Sequence, residues 1–249
     1  MNNKTIFITG ATSGIGRIIT EKCIENGYTV YATGRNESSL ATLSRMGATV
    51  FQADLSKVQD IDKVCEQLPV LDIAIINAGV GTFENVYDLV DEDIDNMIDV
   101  NIKAPIYLTN RIAKQMMERE RGQFIFIGSQ AGKVPTKKAS VYAASKHAIT
   151  GFVNGLRMEL ASFNIQVTAI YPGPIDTPFL QKADATDTYR VAMQRFLLKP
   201  EKVAREVIKT IEKPVREVNL PRIMAVTSKL YALAPKLVEK LGSGFFNKK

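Results

Sequence analysis

The sequence holds one histidine, His147, and two cysteines, Cys23 and Cys65, among its 249 residues. So few soft ligands, with no short spacing between the cysteines, leave no recognisable transition-metal site. Both cysteines fall in helix-like stretches, which reads as reduced core thiols and not as a disulfide framework. No apolar run approaches the ~18 residues of a membrane span. The opening "MNNKTIFITG" enters a strand at once and lacks the apolar segment of a signal peptide. The expectation is a cytoplasmic protein that holds no metal. No basic stripe is interleaved with aromatics, so a net charge of +6 suits an anionic small ligand or an acidic surface and not nucleic acid. Linkers and low-complexity segments are missing as well, and residues 1–249 read as one domain.

What is present alternates. Val- and Ile-rich runs at 5–9, 29–33, 49–53, 73–76, 123–128 and 166–171 read as strands. They are nearly continuous in apolar character, as in parallel strands covered on both faces. Helix-patterned stretches at 14–26, 37–46, 57–67, 91–118 and 142–162 separate them. Such alternation implies right-handed crossovers and an α/β, doubly wound parallel sheet with helices on both faces. After residue 171 the pattern loosens, and 177–199 reads as a cover over a site. Pro200 and Pro214 then bracket a further helix.

Between the first strand and the first helix lies "TGATSGIG" (9–16). Gly10 permits a tight turn, while Gly14 and Gly16 let backbone approach a ligand and let the helix pack on the strand. The helix start offers free N–H groups and a positive dipole end, which suits a pyrophosphate. A dinucleotide site usually carries an acid after the second strand to hold the ribose 2′-hydroxyl. Here "VYATGRN" (30–36) offers Gly34 and Arg35 instead. A guanidinium grips a 2′-phosphate where a carboxylate repels it, so NADP(H) is preferred over NAD(H).

"YAASK" places Tyr142 and Lys146 four residues apart, on one face of a helix. Two readings stand beside each other. The pair is either an ordinary wet surface, or an ammonium set beside a phenol to bring its pKa of about 10 towards neutral pH.

Taken together these motifs resemble the short-chain dehydrogenase/reductase family over residues 4–215, a Rossmann fold. "TGATSGIG" matches the family's TGxxxGxG, with Gly10, Thr12, Ser13, Gly14, Ile15 and Gly16 at the cofactor's phosphates. "NAG" supplies Asn77, Ala78 and Gly79 along the cofactor, and Asp54 and Leu55 stand at the adenine. "YPGPIDT" supplies Pro172, Ile175 and Thr177 at the nicotinamide. The resemblance implies a catalytic set of Asn101, Ser129, Tyr142 and Lys146. In that set Tyr142 moves the proton and Lys146 lowers its pKa and binds the nicotinamide ribose. Ser129 steadies the substrate oxygen, and Asn101 holds a relay water. It also implies a seventh strand at 217–221, a carbonyl or alcohol as substrate and a homodimer through the helices at 91–118 and 142–162. His147 reads as a packing or surface residue.

The end of the chain departs from the family's Gly-rich tail. "SKLYALAPKLVEKLGSGFF" (228–246) looks more like the branch acting on steroids, retinoids and other lipophilic carbonyls. Within the extension 228–249, Leu230, Leu233, Leu237 and Leu241 recur at helix-like spacing. The plainer expectation is that this stripe packs on its own domain or on a dimer mate. The sharper one is a lid, or weak membrane-surface contact with Phe245 and Phe246 inserted. Two other functions remain in view: an NADP-sensing regulator without turnover, and a membrane-surface protein working through its last helix. A complete proton-transfer set argues against the first.

Overall fold

A computed structural model describes residues 4–184 and 188–241. Seven strands form one parallel sheet: β1 (Thr5–Thr9), β2 (Thr29–Gly34), β3 (Thr49–Gln52), β4 (Ile73–Ile76), β5 (Gly122–Ile127), β6 (Ile165–Pro172) and β7 (Glu217–Leu220). Their order is β3-β2-β1-β4-β5-β6-β7. The chain winds outward from β1 to β3, then crosses back to β4 and winds the other way. The crevice between the carboxyl ends of β1 and β4 is therefore the place where such a sheet binds ligands.

The strands are apolar throughout because each face has its own core. Phe7, Ala74, Phe124 and Phe126 point to one side, where α3 (Val58–Gln67), α5 (Ala104–Glu118) and α6 (Ser140–Glu159) cover them. Ile6, Ile8, Ile75 and Ile125 point to the other, under α1 (Gly14–Glu25), α2 (Glu37–Arg45) and α9 (Pro200–Glu212). Helix α9 buries Val203, Ala204, Val207 and Ile211, one face of its 3.6-residue period. Cys23 and Cys65 are free thiols in these layers, both pushed up in pKa by burial, Cys65 to about 11 and Cys23 to about 12.

The stretch expected as one helix over 91–118 is broken. It runs as α4 (Asp91–Ile98), a π-turn at Asp99–Lys103, and α5. Pro105 explains the break: it has no N–H for the carbonyl of Asn101 four residues earlier, and its ring crowds that carbonyl. The wider turn carries Asn101 into the interior, 1% exposed.

The cover segment contains α7 (Pro178–Ala183) and α8 (Thr188–Met193). Its two ends are clamped together, with Leu198 N–H donating to Pro174 O at 2.8 Å and Asp176 N–H to Leu198 O at 3.1 Å. Beyond β7 come α10 (Ile223–Leu233) and α11 (Pro235–Leu241). Pro235 thus starts a second helix instead of kinking one. The expectation that the leucine stripe packs on its own domain fails: Leu230, Leu233 and Leu237 are all exposed. Phe245 and Phe246 lie outside the described residues. Among the described residues, no helix is long and apolar enough to cross a membrane, and no three metal-ligating side chains gather.

Candidate active site

One cleft of about 780 Å³ opens at the carboxyl ends of the strands. Its floor begins at the glycine loop after β1. Gly10 has φ +66°, and a Cβ on Gly16 would lie 2.2 Å from Gly10 O and 2.3 Å from Asn77 Nδ2, so only glycine fits there. Asn77 ties the loop to β4, its Nδ2 donating to Thr9 O at 2.9 Å and to Gly10 O at 3.3 Å. Thr9 Oγ1 accepts from the N–H groups of Asn77 and Ala78. Ser13, the N-cap of α1, makes no side-chain bond to the helix start. The first N–H groups of α1 thereby meet the cleft, where Thr12, Ser13, Gly14 and Ile15 line it.

At the far end of this floor stand Arg35, Asp54 and Leu55. Burial pushes the Asp54 carboxyl up, but hydrogen bonds from Ser56 and the charges of Arg35 and Lys57 outweigh it and hold the carboxyl below its ordinary value. Arg35 forms no ion pair among the described residues. A cradle of glycines, an uncapped helix start and an open guanidinium fit a dinucleotide bearing a 2′-phosphate.

At the other end Ser129, Tyr142 and Lys146 converge. Ser129 follows β5, and its Oγ accepts from Ala131 N–H at 3.1 Å. The next residue anchors it from behind: Gln130 Nε2 donates to Tyr171 O at 2.8 Å and to Asn219 Oδ1 at 2.9 Å. Tyr142 and Lys146 come from α6, with the Lys146 Nζ 5.8 Å from the centre of the Tyr142 ring. Both are buried, which settles the helix-surface reading against it. Pro172, Ile175 and Thr177 close this end, and Ala78 and Gly79 join it to the loop.

Asn101 is the one predicted site residue that does not line the cleft. Its Nδ2 donates to Val80 O at 2.8 Å and Ser145 Oγ at 2.9 Å, and its Oδ1 accepts from Val80 N–H at 2.9 Å. Ser145 Oγ in turn donates to Tyr142 O at 2.7 Å. The Asn101 side-chain amide is thus committed to a clamp between the loop after β4 and the first turns of α6. A Cβ on Gly79 would sit 3.2 Å from both Asn101 Oδ1 and Lys146 Nζ, which fixes how closely the clamp backs the ammonium.

Burial pushes the Tyr142 phenol up to about 12, and its hydrogen bond with Ser129 opposes this only in part. Burial brings the Lys146 ammonium down to about 8. The expected lowering of the phenol by the lysine is not among the effects acting on it; desolvation, which disfavours both charged forms, dominates. At pH 7 the phenol holds its proton and the ammonium remains mostly charged. Among the described residues, no carboxylate pairs with Lys146, so its N–H donors suit hydroxyl groups of a ligand.

Sequence reasoning did not find the upper cleft. Phe83 stands edge-on to Tyr142 at 5.5 Å and to Tyr189 at 5.4 Å, and Phe179 lies 5.9 Å from Tyr142. Phe83 N–H donates to Ala183 O at 2.7 Å, tying this loop to the cover. Met193, Phe196 and Met224 extend the apolar wall. These residues come from four separate segments without periodicity; Phe179, just inside the cover after Pro178, carried the only signal. His147 is exposed, its Nδ1 2.8 Å from Ala143 O, and takes no part.

A profile of the short chain dehydrogenases matches residues 4–188. An uncharacterised short-chain type dehydrogenase/reductase of Sinorhizobium fredii is 35% identical over 213 residues, 84% of this chain and 85% of its own. Among solved structures, the closed form of a serine dehydrogenase complexed with NADP+ has a TM-score of 0.81 at 31% identity, over 87% of this chain and 94% of that one. A 4-hydroxyisoleucine dehydrogenase complexed with NADH has a TM-score of 0.80 at 28% identity, over 87% and 96%.

Proposed function

Since the chain belongs to the short-chain dehydrogenase/reductase family, we propose that it is an NADP(H)-dependent oxidoreductase interconverting a ketone or aldehyde with the corresponding alcohol. One observation carries the reading: the glycine cradle and the buried Tyr142–Lys146 pair share a single cleft. When bound, the nicotinamide supplies or accepts the hydride. Tyr142, protonated at neutral pH, donates its phenolic proton to the substrate oxygen as that oxygen gains charge, and recovers it in the reverse direction. Ser129 donates a hydrogen bond to the same oxygen. Lys146 holds ribose hydroxyls and keeps positive charge near the phenol. Asn101 acts as a positioning residue through its clamp on Val80 and Ser145.

The aromatic wall of Phe83, Phe179 and Tyr189 supports a lipophilic substrate, since a pocket lined by rings favours apolar bodies with one fixed polar end. On the outer face of α6, Gly151 and Gly155 meet nothing within 4 Å. This smooth face, beside α5, supports a homodimer.

The cofactor choice rests on Arg35, because solved relatives are seen with either NADP+ or NADH. Fluorescence titration should show NADPH binding at least about tenfold more tightly than NADH, a difference of about 1.4 kcal/mol. Arg35→Ala should weaken NADPH and leave NADH nearly unchanged. Equal native affinities would contradict the assignment.

A further inference from the structure

Helix α10 presents the wrong face to the protein. Ile223, Val226, Leu230 and Leu233 recur at intervals of three, four and three residues, one stripe of a helix. A stripe of that kind ordinarily faces a core. Here every member is more than half exposed, Leu233 by 85%, and Leu237 of α11 continues it. The inward face is the less apolar one, with Ser228 buried and Met224 and Tyr231 half-buried.

Charge accompanies the stripe. Over residues 222–240 stand Arg222, Lys229, Lys236 and Lys240 against one acid, Glu239. Glu239 already accepts from the Tyr231 hydroxyl at 2.9 Å. None of the four cations has an ion-pair partner among the described residues. Arg222, the N-cap of α10, and Lys229 within it sit about 60° to 80° to one side of the stripe, from a 100° step per residue.

We propose that α10 and α11 form a docking surface for an anionic lipid bilayer. An interfacial helix needs an apolar face with cations beside it, and both are exposed here together. A second copy of the chain is a poorer fit. Two helices of 11 and 7 residues offer an apolar face on the order of 300 Å², whereas a stable pair buries about 800 Å² on each partner. Ile223, at the start of the stripe, lines the active-site cleft together with Met224, Thr227 and Val238 of the same helices. Docking therefore sets the mouth of the cleft at the lipid surface. The surface is independent of the reaction proposed above; only the delivery of a lipophilic substrate from the bilayer rests on that reading.

The test uses the full chain in vesicle co-sedimentation, with phosphatidylcholine alone and with roughly one third phosphatidylglycerol added. The native protein should bind the anionic vesicles at least about tenfold more tightly, and the preference should fade with added salt over the Debye range. Leu230→Glu/Leu233→Glu, at exposed positions outside the cleft, should lose binding at least tenfold. Its melting temperature and NADPH affinity should match the native protein, since surface changes usually cost little. Lys229→Glu/Lys236→Glu should abolish the preference for anionic lipid. No native binding to anionic vesicles, or binding that survives both double variants, would overturn the proposal. So would a native oligomer that the leucine variant dissociates while vesicle binding is absent, which would make a second copy the occupant. Vesicle binding is read without turnover, so its failure and that of the proposed reaction are told apart.

Discussion

At the scale of the residue, desolvation governs the proposed chemistry. Tyr142 and Lys146 are buried side by side, and burial moves the phenol up to about 12 and the ammonium down to about 8. The sign follows directly. Below about pH 8 both groups carry their protons, the state that donates to a carbonyl oxygen. As pH rises through 8 the ammonium is lost while the phenol stays neutral. For carbonyl reduction at a fixed carbonyl concentration, kcat/KM for NADPH should be level below that point and fall by about tenfold per pH unit above it, because this parameter reports the protein before the cofactor binds. A profile that climbs steadily to pH 10 would contradict the assignment. The pairing itself was legible from a four-residue spacing. The direction of the phenol's shift was not, because a sequence shows which charges are near and not how much water surrounds them.

At the scale of the element, what could be read depended on whether a local rule agreed with its surroundings. The glycine loop obeys its rule, since strand, turn and helix follow in order and Gly16 sits where a Cβ would strike Gly10 O and Asn77 Nδ2. Gly16→Ala should force the loop from β4. Overpacking of this kind costs about 1–3 kcal/mol, so denaturant titration should show that loss, and NADPH affinity should fall with it. Unchanged stability and affinity would mean that the loop yields freely. The break between α4 and α5 needed the clash of Pro105 with the carbonyl of Asn101, a reach of four residues that helical periodicity ignores. The stripe on α10 reads correctly as helix, but its direction inverts the usual rule. Which face a helix turns inward depends on what it packs against, here the loop at Gly173, where Met224 sits. The aromatic wall was least visible, since Phe83, Phe179 and Tyr189 meet only once the cover is folded over the cleft.

At the scale of the whole molecule, the winding of the sheet assembles the site. Reversal between β1 and β4 opens the crevice, and the loops after β1, β4, β5 and β6 each deliver one part to it. The glycine loop and the Tyr142 phenol are thus held at opposite ends of one cleft. The central claim, that Tyr142 transfers the proton in a nicotinamide-dependent carbonyl reaction, is tested most directly by nicotinamide absorbance across a panel of ketones, aldehydes and secondary alcohols. Native protein and Tyr142→Phe are compared side by side, with NADPH binding measured for each. The expected result is turnover of at least one lipophilic member by the native protein, lowered by about 100-fold or more in the variant, the usual worth of acid–base catalysis, with NADPH affinity retained. Near-native turnover by Tyr142→Phe, or tight NADPH binding by the native protein without turnover of any member, would contradict it.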